Sequence, residues 1–284
     1  EIGASTKKLV KVEIKNERLC PRYTARIITG IKISPSPFWL RYRLQLLGIN
    51  PINNVVDITN YILMKYGQPL HAFDYSLIEG KKIIVRTALQ KEEITTIDNK
   101  KRSLDKDMLV IADAKRPVAI AGIIGGKNTE INDNTDTILI ESALFKPVSI
   151  RRTAKKLCIT TESSYRFERG IDPNLQAEAS DSAIELILDI AGGKASNGII
   201  DYKADIQKPP AISFSHSYCS RILGTDIPSK NMLSILKSLQ CKIHKGIKKD
   251  SVIVTPPSYR LDLTRQIDLV EEIARVSGYS SIPI

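Results

Sequence analysis

The chain has 284 residues, about two domains' worth at ordinary domain size. Hydrophobic residues make up 42% and charged residues 26%, a globular balance that excludes disorder, collagen-like repeats and low-complexity fibres. Lys and Arg number 42 against 31 Asp and Glu, and the net charge of +11 points to a polyanionic partner, nucleic acid first and an anionic membrane surface second.

No window approaches the ~18 to 20 uninterrupted apolar residues that a membrane helix needs. Glu1-Ile2-Gly3-Ala4 shows no charged segment ahead of an apolar one, so no secretory signal is visible, and the missing initiator Met suggests a fragment or a processed product. Cys20, Cys158, Cys219 and Cys241 are far apart and form no CxxC pair, which argues for free thiols in a reducing cytosol. The histidines are His71, His216 and His244, with no HExxH and no GxSxG, which excludes the zinc proteases and nucleophile-elbow hydrolases built on those motifs.

In chain order, residues 1–34 read as a leading strand region, with alternation from Lys8 to Ile14 and a β-rich run from Tyr23 to Ile33. Ser36-Pro37 offers an N-cap and a first-turn Pro for a helix carrying Leu40, Leu44 and Leu47, closed by Gly48. A second helix is expected from about Asp57 to Tyr66, stopped by Gly67 and Pro69. From about 81 to 145 the period changes to strands: Lys82–Arg86, Met108–Ala112, Val118–Ala121 and Thr137–Glu141. Helices return at about 147–157 and 177–191, the latter ending at Gly192-Gly193.

The stretch 204–210, with Pro209-Pro210, is the best linker in the chain. Beyond it Ser229 caps a helix with Leu233, Leu236 and Leu239 near one face, Ser251–Thr255 is a strand, and Gln266–Val276 is a helix ending at Gly278. The fold class is α+β: a larger mixed domain, then a compact one. Residues 208–260 carry nine Lys/Arg and two Asp/Glu, a basic front suited to phosphate contact, with a plain solvated Lys-rich face as the bland alternative.

Four carboxylates lie late in the chain. Asp268, Glu271 and Glu272 stack on one helical face, with Asp262 just before them. Such a face wants Mg2+ or neighbouring Arg residues, unless the acids merely favour the helix N-terminal dipole. His71 sits in the Gly-Pro-stiffened loop 67–74, after the helix bearing Thr59 and Asn60. Ala121–Gly126 is an apolar strand entering a Gly-rich turn that lets a ligand approach the backbone, without a phosphate-loop fingerprint. Glu141 ends the apolar run Ile138-Leu139-Ile140, a buried place for a carboxylate that needs a bound donor or a structural Arg. Residues 160–173, after the basic Arg151–Lys156 helix, are dense in hydroxyls, charges and aromatics.

Together Val55–Tyr61, Gly67–Asp74, Ala121–Gly126, Ser163–Pro173 and Pro256–Glu272, in that order, resemble the β subunits of bacterial phenylalanyl-tRNA synthetase, from about Cys20 to Pro283. The resemblance implies a leading segment at 1–17, an editing domain at 18–203, and a small winged-helix-like, DNA-binding-type module at 204–284. The oligonucleotide-binding-fold, catalytic-core-like and anticodon-binding modules would be absent. The implied activity is hydrolysis of tyrosine wrongly esterified to tRNA(Phe). By the same resemblance Glu141 accepts the hydrogen bond of the tyrosyl hydroxyl, and His71 stands near the ester and the attacking water, as base or as water-positioning group. Thr59 and Asn60 surround the aminoacyl group, Gly122 and Gly125 form the lining turn, and Thr161 lies beside it. Ser163 stands where Ala is common, Tyr165 where His is common, and Asn50 where some members carry Arg. Asp262, Asp268, Glu271 and Glu272 would hold Mg2+, with ATP entering only through the catalytic subunit. The implied partners are tRNA(Phe) and the α subunit, in a cytoplasmic heterotetramer of two α and two β subunits, with no membrane. A non-catalytic tRNA- or DNA-binding and assembly module with a weakened pocket is the competing reading.

Overall fold

The computed structural model describes residues 4–206, 208–246 and 250–281. Contacts divide the chain into two units, Glu1–Ile206 with two apolar clusters and Gln207–Ile284 with one.

The first unit begins with α1 (Thr6–Leu9), β1 (Lys11–Ile14), β2 (Arg22–Thr29), α2 (Phe38–Leu46), α3 (Asn54–Tyr66) and β3 (Leu70–Asp74). A run of strands follows: β4 (Lys82–Thr87), β5 (Glu92–Thr95), β6 (Lys101–Leu104), β7 (Leu109–Ala112), β8 (Pro117–Ile120), β9 (Ile124–Gly125) and β10 (Thr137–Leu144). It ends with α4 (Pro147–Leu157), α5 (Glu162–Phe167), α6 (Gln176–Ile190), β11 (Lys194–Ala195) and β12 (Ile200–Lys203). One sheet has the order β1-β4-β7-β8-β9. The other has the order β11-β2-β10-β3, with β12 also pairing to β2, while β5 and β6 form a separate hairpin.

Side-chain alternation along β2, β10 and β3 sorts these strands' residues into two cores. Tyr23, Ala25, Ile27, Phe73, Leu139 and Ala143 join the apolar cluster shared with β4, β7 and β8. Ile28, Ala72, Ile138 and Ile140 join the cluster formed with α2, α3 and α6. A sheet covered on both faces explains why β10 reads as a nearly continuous apolar run. At its edge Arg22, 3% exposed, makes a two-pronged pair with Asp201 at 3.0 and 3.0 Å and donates to Pro173 O and Gln176 Oε1, tying β2 to β12 and α6.

Several local expectations change. The alternating run does not start as a strand at Lys8, because Thr6 is anchored to the 196–198 loop through Ser196 Oγ and Gly198 O and a helical turn forms there. Ser36 is not the cap of α2. Its hydroxyl donates to the buried Asp57 carboxylate at 2.6 Å, and α2 starts after Pro37 without a side-chain cap. α3 starts three residues ahead of Asp57, where Asn53 accepts the Val56 N–H, and it ends at the left-handed Gly67 as expected. β10 continues past Glu141 to Leu144, which places that carboxylate mid-strand.

The second unit contains β13 (Ile212–Ser215), α7 (His216–Leu223), α8 (Ser229–Ser238), β14 (Lys242–Lys245), β15 (Ser251–Thr255) and α9 (Gln266–Ser277). It is not simply helical: the strands form an antiparallel sheet in the order β13-β15-β14, packed on the helices through Phe214, Met232, Leu236, Val254, Leu269 and Ile273. Ser229 opens α8 without capping it, and the face buried by α8 is Met232 and Leu236. Lys248, Lys249 and Pro283, which the charge count and the resemblance included, lie outside the described residues.

Candidate active site

Glu141 occupies a position that the pleat of β10 assigns to the apolar core, between Leu139 and Ala143, and it is 5% exposed. The antiparallel register sets it opposite His71 on β3 and Ala25 on β2. Two residues from Ala25, the fully buried Tyr23 donates its hydroxyl to Glu141 Oε2 at 2.8 Å. Burial raises the Glu141 carboxyl to about 8, against the opposing pull of the Tyr23 hydrogen bond. Burial also lowers His71 to about 4. Both groups are therefore mainly uncharged near neutral pH, with the proton on the carboxyl.

The two side chains line a cavity of about 340 Å³, a size that suits a small ligand group. Thr59 and Asn60 of α3, the Gly122 and Gly125 turn, and Thr161 and Ser163 at the start of α5 line it as well. Gly122 has φ +68, and a β-carbon there would come within 2.9–3.0 Å of Phe145, Ile150 and Phe167, so glycine is needed for both conformation and space. The His71 ring packs edge-on against Phe73, with centroids 4.4 Å apart, and neither ring nitrogen has a protein hydrogen-bond partner among the described residues.

Two of the hydroxyls are already committed. Thr59 Oγ1 donates to Val56 O at 2.7 Å within α3. Thr161 Oγ1 caps α5 by accepting the Ser164 N–H, and it donates to Ile123 O at 2.9 Å, fastening α5 to the glycine turn. Both hydroxyls are thus engaged within the protein, whereas the Asn60 amide and the Ser163 hydroxyl have no protein partner among the described residues. Asn50 is exposed and does not line the cavity, and Tyr165 is also outside it. Sequence reasoning missed Tyr23, Glu130 and Glu162. The last two are cavity-lining carboxylates held by Lys127 and Arg166. Their sequence signal was the neighbouring opposite charge at i−3 and i+4; Tyr23 had none.

The late carboxylates are partnered by arginines. Arg260 lies between Asp262 and Glu272, with Nη2 at 2.6 Å and 3.0 Å from their oxygens, and Arg275 reaches Glu272 at 2.7 Å. The Arg260 and Arg275 hydrogen bonds pull the Glu272 carboxyl down to about 2. Asp268 accepts the Thr264 and Arg265 N–H groups ahead of α9 and pairs with the Arg265 side chain at 3.0 Å. Glu271 is exposed. Among the described residues no cluster of three or more His, Cys, Asp or Glu is arranged by itself to hold a metal ion, and Asp262, Asp268 and Glu272 are paired with arginines.

Residues 19–192 match the B3/4 domain, and residues 212–279 match the tRNA synthetase B5 domain. The chain therefore belongs to the B3/4 domain family, with a B5 domain following. It is similar to phenylalanine–tRNA ligase β subunits: 46% identical over 276 residues to that of Desulfotalea psychrophila, covering 96% of this chain and 34% of the relative. The corresponding subunit of Moorella thermoacetica is 47% identical over 285 residues, covering 100% of this chain and 35% of the relative. A solved N-terminal fragment of the phenylalanyl-tRNA synthetase β subunit from Pyrococcus horikoshii aligns with 98% of this chain and 77% of its own, at 14% identity and a TM-score of 0.47. The chain spans about a third of the length of the curated relatives it matches. Among the described residues no helix is long and apolar enough to cross a membrane.

Proposed function

We propose that this chain is the proofreading part of a phenylalanine–tRNA ligase β subunit, and that it hydrolyses the ester of tyrosine wrongly attached to tRNA(Phe). The observation that carries this reading is the Glu141 carboxyl, buried at the cavity wall with one oxygen held by Tyr23 and placed across the ladder from His71. Tyrosine and phenylalanine differ by one hydroxyl, and a site built to hydrogen-bond that hydroxyl discriminates far better than an apolar slot that must exclude it. The tyrosyl hydroxyl completes the pairing of Glu141; phenylalanine leaves a desolvated polar group unpaired, which costs about 1–3 kcal/mol.

In hydrolysis, water adds to the ester carbonyl, the bond to the ribose oxygen breaks, and that oxygen takes up a proton as the free amino acid leaves. His71, neutral because burial lowers it to about 4, is a weak base near neutral pH, so its role here is to accept a hydrogen bond from the water and aim it. Asn60 and Ser163 add polar groups at the wall that have no protein partner among the described residues. tRNA(Phe) is the macromolecular partner, and the α subunit completes a cytoplasmic heterotetramer of two α and two β subunits. Aminoacylation and its ATP belong to the other subunit. The alternative reading, a binding and assembly module with a weakened pocket, is favoured by Ser163 at the cavity wall, where the resembled subunits commonly carry Ala.

Single-turnover deacylation of Tyr-tRNA(Phe) by the intact ligase, wild type against His71→Ala, tests the reading. It predicts loss of about 100-fold in rate for the variant, the scale of a positioned proton-transfer or water-orienting group. No hydrolysis by the wild type would favour the binding module.

A further inference from the structure

Glu141 has two carboxyl oxygens, and the protein uses one of them. Oε2 accepts the Tyr23 hydroxyl at 2.8 Å; Oε1 has no hydrogen-bond partner among the described residues and is not among the buried orphan atoms, so it is reached from the cavity. Tyr23 lies wholly inside the core between the sheets, where this contact is its hydroxyl's sole hydrogen bond among the described residues. We propose that Tyr23 is the positioning residue that sets the selectivity of the cavity, holding Glu141 with Oε2 satisfied and Oε1 presented so that one ligand phenol hydroxyl completes the pairing. This rests on the proofreading reading and deepens it.

The chemistry is symmetrical. The protein supplies one phenol to the carboxyl, and the ligand supplies the second. Two donors stabilise the ionised carboxylate, whereas one donor in an apolar wall leaves the protonated form favoured. Selection of a phenol is therefore linked to ionisation of Glu141, and Tyr23 sets how readily that ionisation occurs. The other titratable groups facing Glu141 do not compete. His71 on β3 is neutral, and the buried Cys20 thiol, in the turn before β2, is pushed up by burial and stays protonated. Glu130 and Glu162 line the same cavity but are paired with Lys127 and Arg166.

The test is Tyr23→Phe in the intact ligase, which keeps the ring and removes the hydroxyl, beside Glu141→Gln. Deacylation of Tyr-tRNA(Phe) and Phe-tRNA(Phe) is followed from pH 6 to 9, with kcat and KM separated. Tyr23→Phe is expected to lower the preference for the tyrosyl ester about 10-fold, through the tyrosyl arm, as loss of one charge-assisted hydrogen bond would. The pH at which the preference rises should also move up, because the hydrogen bond that lowered the carboxyl's proton affinity is gone. Equal slowing of both esters with an unmoved pH profile would show a structural role alone and overturn the proposal. If Glu141→Gln keeps full preference, the proofreading role of Glu141 fails and this inference with it. If Glu141→Gln loses preference while Tyr23→Phe keeps it, the inference alone fails.

Discussion

Gly125 and His71 are in direct contact: a β-carbon at Gly125 would lie 2.5 Å from Cε1 and 2.9 Å from Nε2 of the imidazole. The glycine turn is thus a backstop for the ring. It holds the imidazole between the β9 backbone and Phe73, and leaves its nitrogens free for a ligand or water.

Gly125 has no left-handed backbone requirement, so Gly125→Ala conflicts with the ring and not with the chain conformation. The variant should lose about 10-fold or more in ester hydrolysis as the ring is displaced, a scale of effect expected from small misplacement of a reacting group. Overpacking should lower stability by about 1–3 kcal/mol. Deacylation rates and urea unfolding of the same preparation check both. Full activity in Gly125→Ala would show that the placement of His71 is immaterial.

Glu141 and His71 give folding stability opposite pH dependences. The carboxyl is raised from 4.5 to about 8, so its contribution is complete below 4.5 and is lost as pH rises through about 8. The imidazole is lowered from 6.5 to about 4, so its contribution is complete above 6.5 and is lost as pH falls toward 4. Between 4.5 and 6.5 the two slopes offset, and above 6.5 Glu141 acts alone. Stability should therefore fall by about 1–2 kcal/mol between pH 6.5 and 8, at up to about 1.4 kcal/mol per pH unit. In Glu141→Gln that fall should vanish. Urea midpoints at half-unit pH steps measure it, and an identical slope in the variant would refute the assignment.

In the arginine lattice at Arg260, Asp262, Glu272 and Arg275 the Asp262 and Glu272 carboxylates are already paired, so a divalent cation would have to displace an arginine to bind them. Isothermal titration of Mg2+ into the chain should give a flat trace at millimolar metal. Arg260→Ala should lower the stability of the second unit by about 3 kcal/mol, since Glu272 is 7% exposed and would lose its principal partner. A saturable one-to-one Mg2+ isotherm would restore the magnesium assignment.

Local signals in the sequence located most elements: Gly67 for the end of α3, the apolar run for β10, and Gly192-Gly193 for the end of α6. The errors come from side chains whose partners are distant. Ser36 has cap chemistry, but Asp57, 21 residues on, takes its hydroxyl. Tyr23 was legible as a strand residue, while its partner lies 118 residues away, and no spacing rule reports such a pair. Glu141 stood out because a carboxylate breaks the apolar period of its strand, which is visible locally. The Asp268, Glu271 and Glu272 spacing is also real, but helical spacing alone does not say that Arg260 and Arg275 pair with Glu272 or that Arg265 pairs with Asp268.

The central claim is that Glu141 reads the hydroxyl that separates tyrosine from phenylalanine. The most direct measurement is the ratio of deacylation rates for Tyr-tRNA(Phe) and Phe-tRNA(Phe) in the intact ligase, wild type against Glu141→Ala. The account predicts that the ratio collapses by about 10- to 100-fold, mainly through the tyrosyl ester. A ratio unchanged by Glu141→Ala, in a variant that still hydrolyses the ester, would contradict it.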